Sequence, residues 1–258
     1  MSTFTTTALI LRHADDREHD KFIVALSPGR GKLHLRAKGT KKSVSKLSGS
    51  LEPVTHVTLT IAKGRRSDLI TGSIIEHRLS GLRQDPFTFV AAQWFLELVD
   101  RVTKAEQDES RVFAYVTDSL RSMEAEDILT LGQRWLRLCR RAWQLLDLQG
   151  FAPSLQVCAH CHQPLGTEPI AYHSHQGLVH AREAGIEAFG LDTPTMVYLV
   201  DGVSPPDERT VFRQLHQLVE RLIHQTLDQP LRSEPVLRSM MRFGNRIERQ
   251  KYDTLSKT

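Results

Sequence analysis

The sequence predicts an α+β multidomain protein: a five-stranded β-barrel over residues 1–82, then an α-helical domain over residues 83–258. Three observations predict it. Short runs rich in Thr, Val, Ile and Leu, cut by Gly and Pro, fill residues 1–82. After Asp85-Pro86 the apolar residues recur on a helical period. Positive charge is confined to the first part, which holds 14 Lys and Arg against 7 Asp and Glu; the remainder holds 20 against 23, and the whole chain carries only +4.

The expected strands are Thr6 to Arg12, Lys21 to Ser27, Lys32 to Lys38, Val54 to Ala62 and Leu69 to Glu76. Pro28-Gly29, Gly39, Gly49, Gly64 and Gly72 supply the turn and breaker signals between and within them. Alternation is cleanest where Val57, Leu59 and Ile61 share a face. A two-sheet sandwich needs about seven strands, so five point to a small barrel.

Helices are expected over Phe87 to Val102, Ser110 to Met123, Ile128 to Leu148, Asp207 to Leu227 and Val236 to Gln250. Pro86 fits the first position of a helix, and Gly150 followed by Pro153 stops the third. On that third helix Leu131, Trp135, Leu138, Ala142 and Leu145 form the core side.

Apolar residues at 40% and charged residues at 25% describe a globular protein and exclude a disordered tail. No run of 18 or so apolar residues is present, so no membrane helix is expected. The segment Met1 to Thr7 has neither a basic region nor a long apolar one, which implies a cytoplasmic location. Three cysteines, Cys139, Cys158 and Cys161, cannot build a disulfide framework.

The stretch from Arg30 to Lys46 carries Arg30, Lys32, Arg36, Lys38, Lys41, Lys42 and Lys46 and no acidic residue. On a strand, Leu33, Leu35 and Ala37 face one side; Lys32, His34, Arg36 and Lys38 face the other. Such a row suits the phosphates of an extended nucleic acid, and Arg65 and Arg66 at a later hairpin tip extend it. An edge strand kept soluble by lysines would carry the same pattern. Phe4 and Phe22 are the only aromatic residues of this part, so backbone electrostatics is expected to outweigh base stacking.

Cys158-Ala159-His160-Cys161 is half of a tetrahedral zinc site, because two thiolates across a tight turn reach one metal. No second cysteine pair follows. His180 and Glu183 stand in its place, and His162, His173 and His175 are further nitrogen donors. A turn packed without metal is the competing reading. Arg134, Arg137 and Arg141 fall at helical spacing, as a stripe for an acidic peptide or as a solvated face.

No phosphate-binding G-x-x-x-x-G-K-[ST], no G-x-S-x-G and no H-E-x-x-H occurs, so no nucleotide cofactor and no enzyme activity is expected. Asp15, Asp16, Glu18 and Asp20 form an acidic turn that a metal-dependent nuclease would need; solvated turn residues explain them as well.

An ordered set of segments resembles the RecO family of DNA repair proteins. It runs through Ala8-Leu9-Ile10-Leu11-Arg12, Asp20-Lys21-Phe22-Ile23-Val24, Gly31 to Gly39 and Ser48-Gly49-Ser50-Leu51-Glu52-Pro53. It resumes at Gly150-Phe151-Ala152-Pro153, Cys158-Ala159-His160-Cys161 and Leu231-Arg232-Ser233. The resemblance implies an OB-fold barrel and a helical domain with a zinc-finger-like insertion at about 151–190. It implies a recombination mediator that binds single- and double-stranded DNA and anneals strands coated by single-stranded-DNA-binding protein. RecR, the acidic C-terminal tail of that coat protein and, indirectly, RecA are the implied partners. The expected DNA contacts are Arg12, Arg30, Lys32, Arg36, Lys38, Lys41, Lys42, Lys46, Arg65 and Arg66, and the expected zinc donors are Cys158, Cys161, His180 and Glu183. The chain departs from the family at those last two donors. The alternative function is an RNA-binding structural protein on the same barrel.

Overall fold

The computed structural model of the chain describes residues 2–16, 19–40, 47–126, 129–166, 168–203 and 207–242. Two compact units emerge: residues 1–128 with 231–258, and residues 129–230. The compositional boundary at 82/83 therefore falls inside the first unit, which also holds the first two helices.

Strands β1 (Thr3–Asp16), β2 (Asp20–Ser27), β3 (Gly31–Ala37), β4 (Thr55–Ala62) and β5 (Asp68–His77) form the barrel. Its cyclic order is β1-β2-β3-β5-β4, closed by the pairing of β4 with β1. Only β3 and β5 run parallel, with Leu35 opposite Asp68 and Arg36 opposite Leu69. This is the OB-fold arrangement. Ala8, Ile10, Ile23, Ala25, Leu35, Ala37, Val57, Leu59, Ile61 and Ile70 fill the interior, so the two-residue period read from the sequence points the expected faces inward.

The run Ala8-Leu9-Ile10-Leu11 is buried without alternation. A strand covered on both sides reads that way. Helix α1 (Pro86–Val102) packs on β1 and α2 (Ser110–Met123) on β2, covering the barrel's outer surface there. Asp85 caps α1 by accepting a bond from the Thr88 N–H at 2.7 Å, with Pro86 behind it.

The α1–α2 connection is clamped to the β2–β3 turn. The Lys32 N–H donates to the Lys104 carbonyl at 2.9 Å, and the Glu109 N–H to the Pro28 carbonyl at 2.8 Å. Gly31 between them has φ +61°, and a Cβ there would lie 2.6 Å from the Lys104 oxygen. Only glycine meets both demands. Farther along, the Glu97 carboxylate of α1 accepts bonds from the N–H groups of Arg232 and Ser233, which fixes the start of the helical residues 234–242. The expected continuation of that helix to Gln250 lies outside the described residues.

In the second unit α3 (Leu131–Leu148) packs against α5 (Glu208–Thr226). Thr130 and Gln133 close a reciprocal capping box at its start, and Gly150 at φ +75° ends it. Between them stand a three-stranded sheet, β6 (Ile170–His173), β7 (Gly177–His180) and β8 (Phe189–Leu191), ordered β7-β6-β8, and helix α4 (Thr193–Asp201). These four elements were not expected. Strands of four, four and three residues are too short to show a period. Among the described residues no helix is long and apolar enough to cross a membrane.

Candidate nucleic-acid interface and metal centre

The outward row on β3 is placed as its alternation requires, but its charges are engaged. Lys32 has a side chain only 15% exposed, and its ammonium lies 3.3 Å from the Asp100 carboxylate of α1 and donates to the Asp100 carbonyl. Arg12 donates to the same carboxylate at 2.6 Å. Arg36 on β3 meets Asp16 at the end of β1 at 2.5 Å. His34 is held below its ordinary pKa, first by partial burial and then by Lys32, so it adds no cation to the row near neutral pH. Lys38 is exposed, whereas Lys41, Lys42 and Lys46 lie outside the described residues.

Four exposed cations stand at the edge made by the start of β1, the β2–β3 turn and the β4–β5 hairpin. The Lys63 N–H donates to the Ser2 carbonyl at 2.9 Å, which brings the end of β4 beside Phe4. The Arg30 guanidinium carbon sits 4.1 Å from the centre of the Phe4 ring, and the Lys63 ammonium 5.5 Å from it. Asp68 closes the hairpin by accepting from Lys63 at 2.9 Å and from the Gly64 N–H at 3.2 Å. Partial burial works to raise its pKa, but these bonds and the nearby Arg30 hold the carboxyl below its usual range. Arg65 and Arg66 stand exposed at the tip. Four cations against one carboxylate, two of them over a partly exposed aromatic ring and two at the hairpin tip, make an anion-attracting edge.

Three residues here escaped the sequence reading. Lys63 lies outside the basic run, and Phe4 gains its role only through strand pairing. Asp100 did carry a signal: it falls four residues after Leu96 on the buried face of α1, where a carboxylate needs a partner.

Two of the acidic residues, Asp16 and Asp20, are tied into the barrel, and Asp15 is exposed. Asp16 holds Arg36, and Asp20 accepts from the Gly39 N–H at 3.0 Å; Glu18 lies outside the described residues. The arginine stripe is divided as well. Arg137 is exposed, Arg134 donates to the Leu129 carbonyl, and Arg141 is 9% exposed. Arg141 follows Leu138 by three and precedes Leu145 by four, which puts it on the buried side of α3. Arg140 instead donates to the Leu199 and Val200 carbonyls, at 3.2 and 2.9 Å, and so caps the C-terminal end of α4.

Cys158, Cys161, His180 and Glu183 converge in the second unit, each offering a donor atom within 4.8 Å of the others. The Cys158 thiol donates to Glu183 at 3.0 Å, Cys161 Sγ is 3.4 Å from His180 Nδ1, and that nitrogen is 3.6 Å from Glu183. His180 Nε2 rests 3.2 Å from the Pro164 carbonyl, leaving Nδ1 directed at the thiols. The Cys158 bond holds the Glu183 carboxyl below its usual pKa. Two sulfurs, one imidazole and one carboxylate at these separations fit a tetrahedral zinc ion.

Family models for the N-terminal and C-terminal parts of recombination protein O match residues 1–78 and 83–235. The chain belongs to the RecO family. A protein named DNA repair protein RecO from Roseiflexus sp. (strain RS-1) is 34% identical over 158 residues, which is 61% of this chain and 54% of that protein. Its namesake from Dehalococcoides mccartyi (strain ATCC BAA-2266 / KCTC 15142 / 195) is 28% identical over 162 residues, 63% of this chain and 62% of its own length. The RecO protein of Bifidobacterium adolescentis is 26% identical over 253 residues, 92% of this chain and 100% of that protein. The RecO matches thus place both the barrel and the helical part in a DNA repair family.

Proposed function

We propose that this chain is a non-enzymatic recombination mediator that binds single- and double-stranded DNA and anneals complementary strands. The observation that carries the reading is the cationic edge of the barrel, where Arg30 and Lys63 lie over Phe4 and Arg65 and Arg66 stand exposed on the adjoining hairpin. An edge of this kind neutralises phosphates, releases their counterions and lowers the repulsion felt by an approaching second strand. Lys38 extends the positive surface along the outward face of β3. Lys32 and Arg12 serve chiefly to hold the barrel to α1, and Arg36 to tie β3 to the end of β1.

The helical part would dock proteins. Val197 and Val200 are exposed on α4 and Val203 just after it, Arg140 holds the C-terminal end of α4, and Arg137 is exposed on α3. An apolar stripe beside arginines suits an acidic tail with apolar residues, the chemistry of the single-stranded-DNA-binding protein's C-terminus. RecR and RecA are proposed partners on the family's account alone. Zinc bound by Cys158, Cys161, His180 and Glu183 would staple the β6–β7 hairpin to the preceding turn.

The test is annealing of complementary oligonucleotides coated with single-stranded-DNA-binding protein, with no nucleotide present. The wild-type chain should accelerate it, and removing the coat protein's acidic tail should abolish the gain. Replacing Arg65 and Arg66 with Gln should also reduce the slope of log affinity against log salt by about 1.4 on single strands, at about 0.7 for each phosphate contact. No acceleration by the wild-type chain, at any salt, would overturn the reading.

A further inference from the structure

We propose that Arg30, seated on Phe4, is a stacking platform for an unpaired nucleobase, so that the barrel edge distinguishes single-stranded DNA from duplex. This rests on the DNA-binding reading above and goes beyond it: phosphate neutralisation alone accounts for charge, not for strand state. Phosphates are present in both forms of DNA, whereas an exposed base face is offered only by the unpaired strand.

The geometry supports a platform rather than a mobile surface arginine. Arg30 leaves the β2–β3 turn, whose Pro28 carbonyl is bonded to Glu109 N–H at 2.8 Å and whose Gly31 is enclosed by Lys104 and Gln107. The base of the side chain is thereby fixed. Its guanidinium carbon lies 4.1 Å from the Phe4 ring centre, within cation–π range. Phe4 is itself anchored, because it packs against the barrel's interior cluster and is paired with Ile61 of β4. A guanidinium held over an aromatic ring leaves the side away from the ring available, and Arg30 is exposed. Arginine is suited to the task because its charge is spread over a plane that stacks, which an ammonium cannot do.

The neighbours complete a strand-sized site. Lys63 flanks the same ring at 5.5 Å, and Arg65 and Arg66 project from the hairpin that Asp68 closes. A base on Arg30 would leave its flanking phosphates chiefly to Arg65 and Arg66, since Lys63 is paired with Asp68. Asp68 faces Lys63 and so does not compete for the backbone.

The test uses the full chain and three ligands of equal length at one salt concentration: a deoxythymidine strand, the same strand with abasic residues, and a duplex. Arg30→Lys keeps the charge and removes the plane; Phe4→Leu keeps the apolar anchor and removes the ring. Each should weaken binding of the deoxythymidine strand about fivefold or more, the loss of one stacked base. Each should leave the abasic strand and the duplex within about twofold of wild type. Equal losses on the abasic strand would overturn the proposal and make Arg30 a phosphate contact. Unchanged binding of all three ligands by Arg30→Lys, a surface change that leaves the fold intact, would overturn it also. Wild-type failure to bind even the abasic strand and the duplex would instead overturn the DNA-binding reading on which the platform rests.

Discussion

Replacing Asp100 with Asn tests the idea that the barrel's basic row is structural at one end. Asp100 is 8% exposed and receives two cations, Lys32 at 3.3 Å with a side chain 15% exposed and Arg12 at 2.6 Å with one 48% exposed. The Lys32 ion pair is largely shielded, so losing the carboxylate's charge there costs about 1.5–3 kcal/mol, while the Lys32 bond to the Asp100 backbone carbonyl is kept. The half-exposed Arg12 pair is screened and adds at most about 1 kcal/mol. The amide keeps the shape and one acceptor, so the expected loss is about 2–3 kcal/mol, and for a chain of this size roughly 5–10 °C in melting temperature. Thermal unfolding followed by circular dichroism measures it. In a Lys32→Met background the same substitution should cost under about 1 kcal/mol, because only the screened pair remains to be lost. A loss below about 0.5 kcal/mol for Asp100→Asn alone, or an identical loss in both backgrounds, would refute the argument.

Two further outcomes are expected. Cobalt added to the metal-free, reduced chain should give the absorption of a tetrahedral thiolate site; Glu183→Gln should weaken zinc binding at least tenfold and Cys158→Ser should abolish it, as judged by competition with a chelating dye. Glu52 is raised by partial burial but held below its ordinary pKa of 4.5 by Lys21 and His13, which donate at 3.0 and 3.1 Å. A depressed carboxylate contributes stability that is full above its unfolded pKa and is lost as pH falls through the folded one. The stability gap between wild type and Glu52→Gln should therefore be present at neutral pH and shrink only as pH falls below the ordinary carboxylate range, measured by urea unfolding across a pH series.

Much of the fold was legible because its signals are local. The faces of β4, the start of α1 and the end of α3 follow from a period and from single residues such as Pro86 and Gly150, whereas the Thr130 cap puts the start of α3 three residues after the expected Ile128. The four candidate metal donors were also legible, since Cys158 and Cys161 define a turn and His180 and Glu183 follow at one end of a hairpin. What could not be read was set by pairing between distant segments. The parallel contact of β3 with β5 closes the barrel, yet neither strand announces its partner. The same closure decides which cations are exposed: Lys32 lies in the densest basic run and is taken by Asp100, while Lys63 lies outside that run and stands free of the helices beside Phe4. Arg141 shows the converse limit, for its spacing fits a charged stripe and a buried face equally well.

The carboxylate that α1 contributes to the barrel has a consequence for any shortened form of the chain. A fragment ending at Leu82 would retain every strand of the barrel but leave Arg12 and Lys32 without their counter-ion, and would bare Leu9, Leu11, Val24 and Leu26 to water. Such a fragment would attract polyanions through groups that the complete protein keeps for itself. Its affinity for DNA would then exceed that of the parent barrel surface while its selectivity fell, and its insolubility would report a missing helix rather than a poor fold.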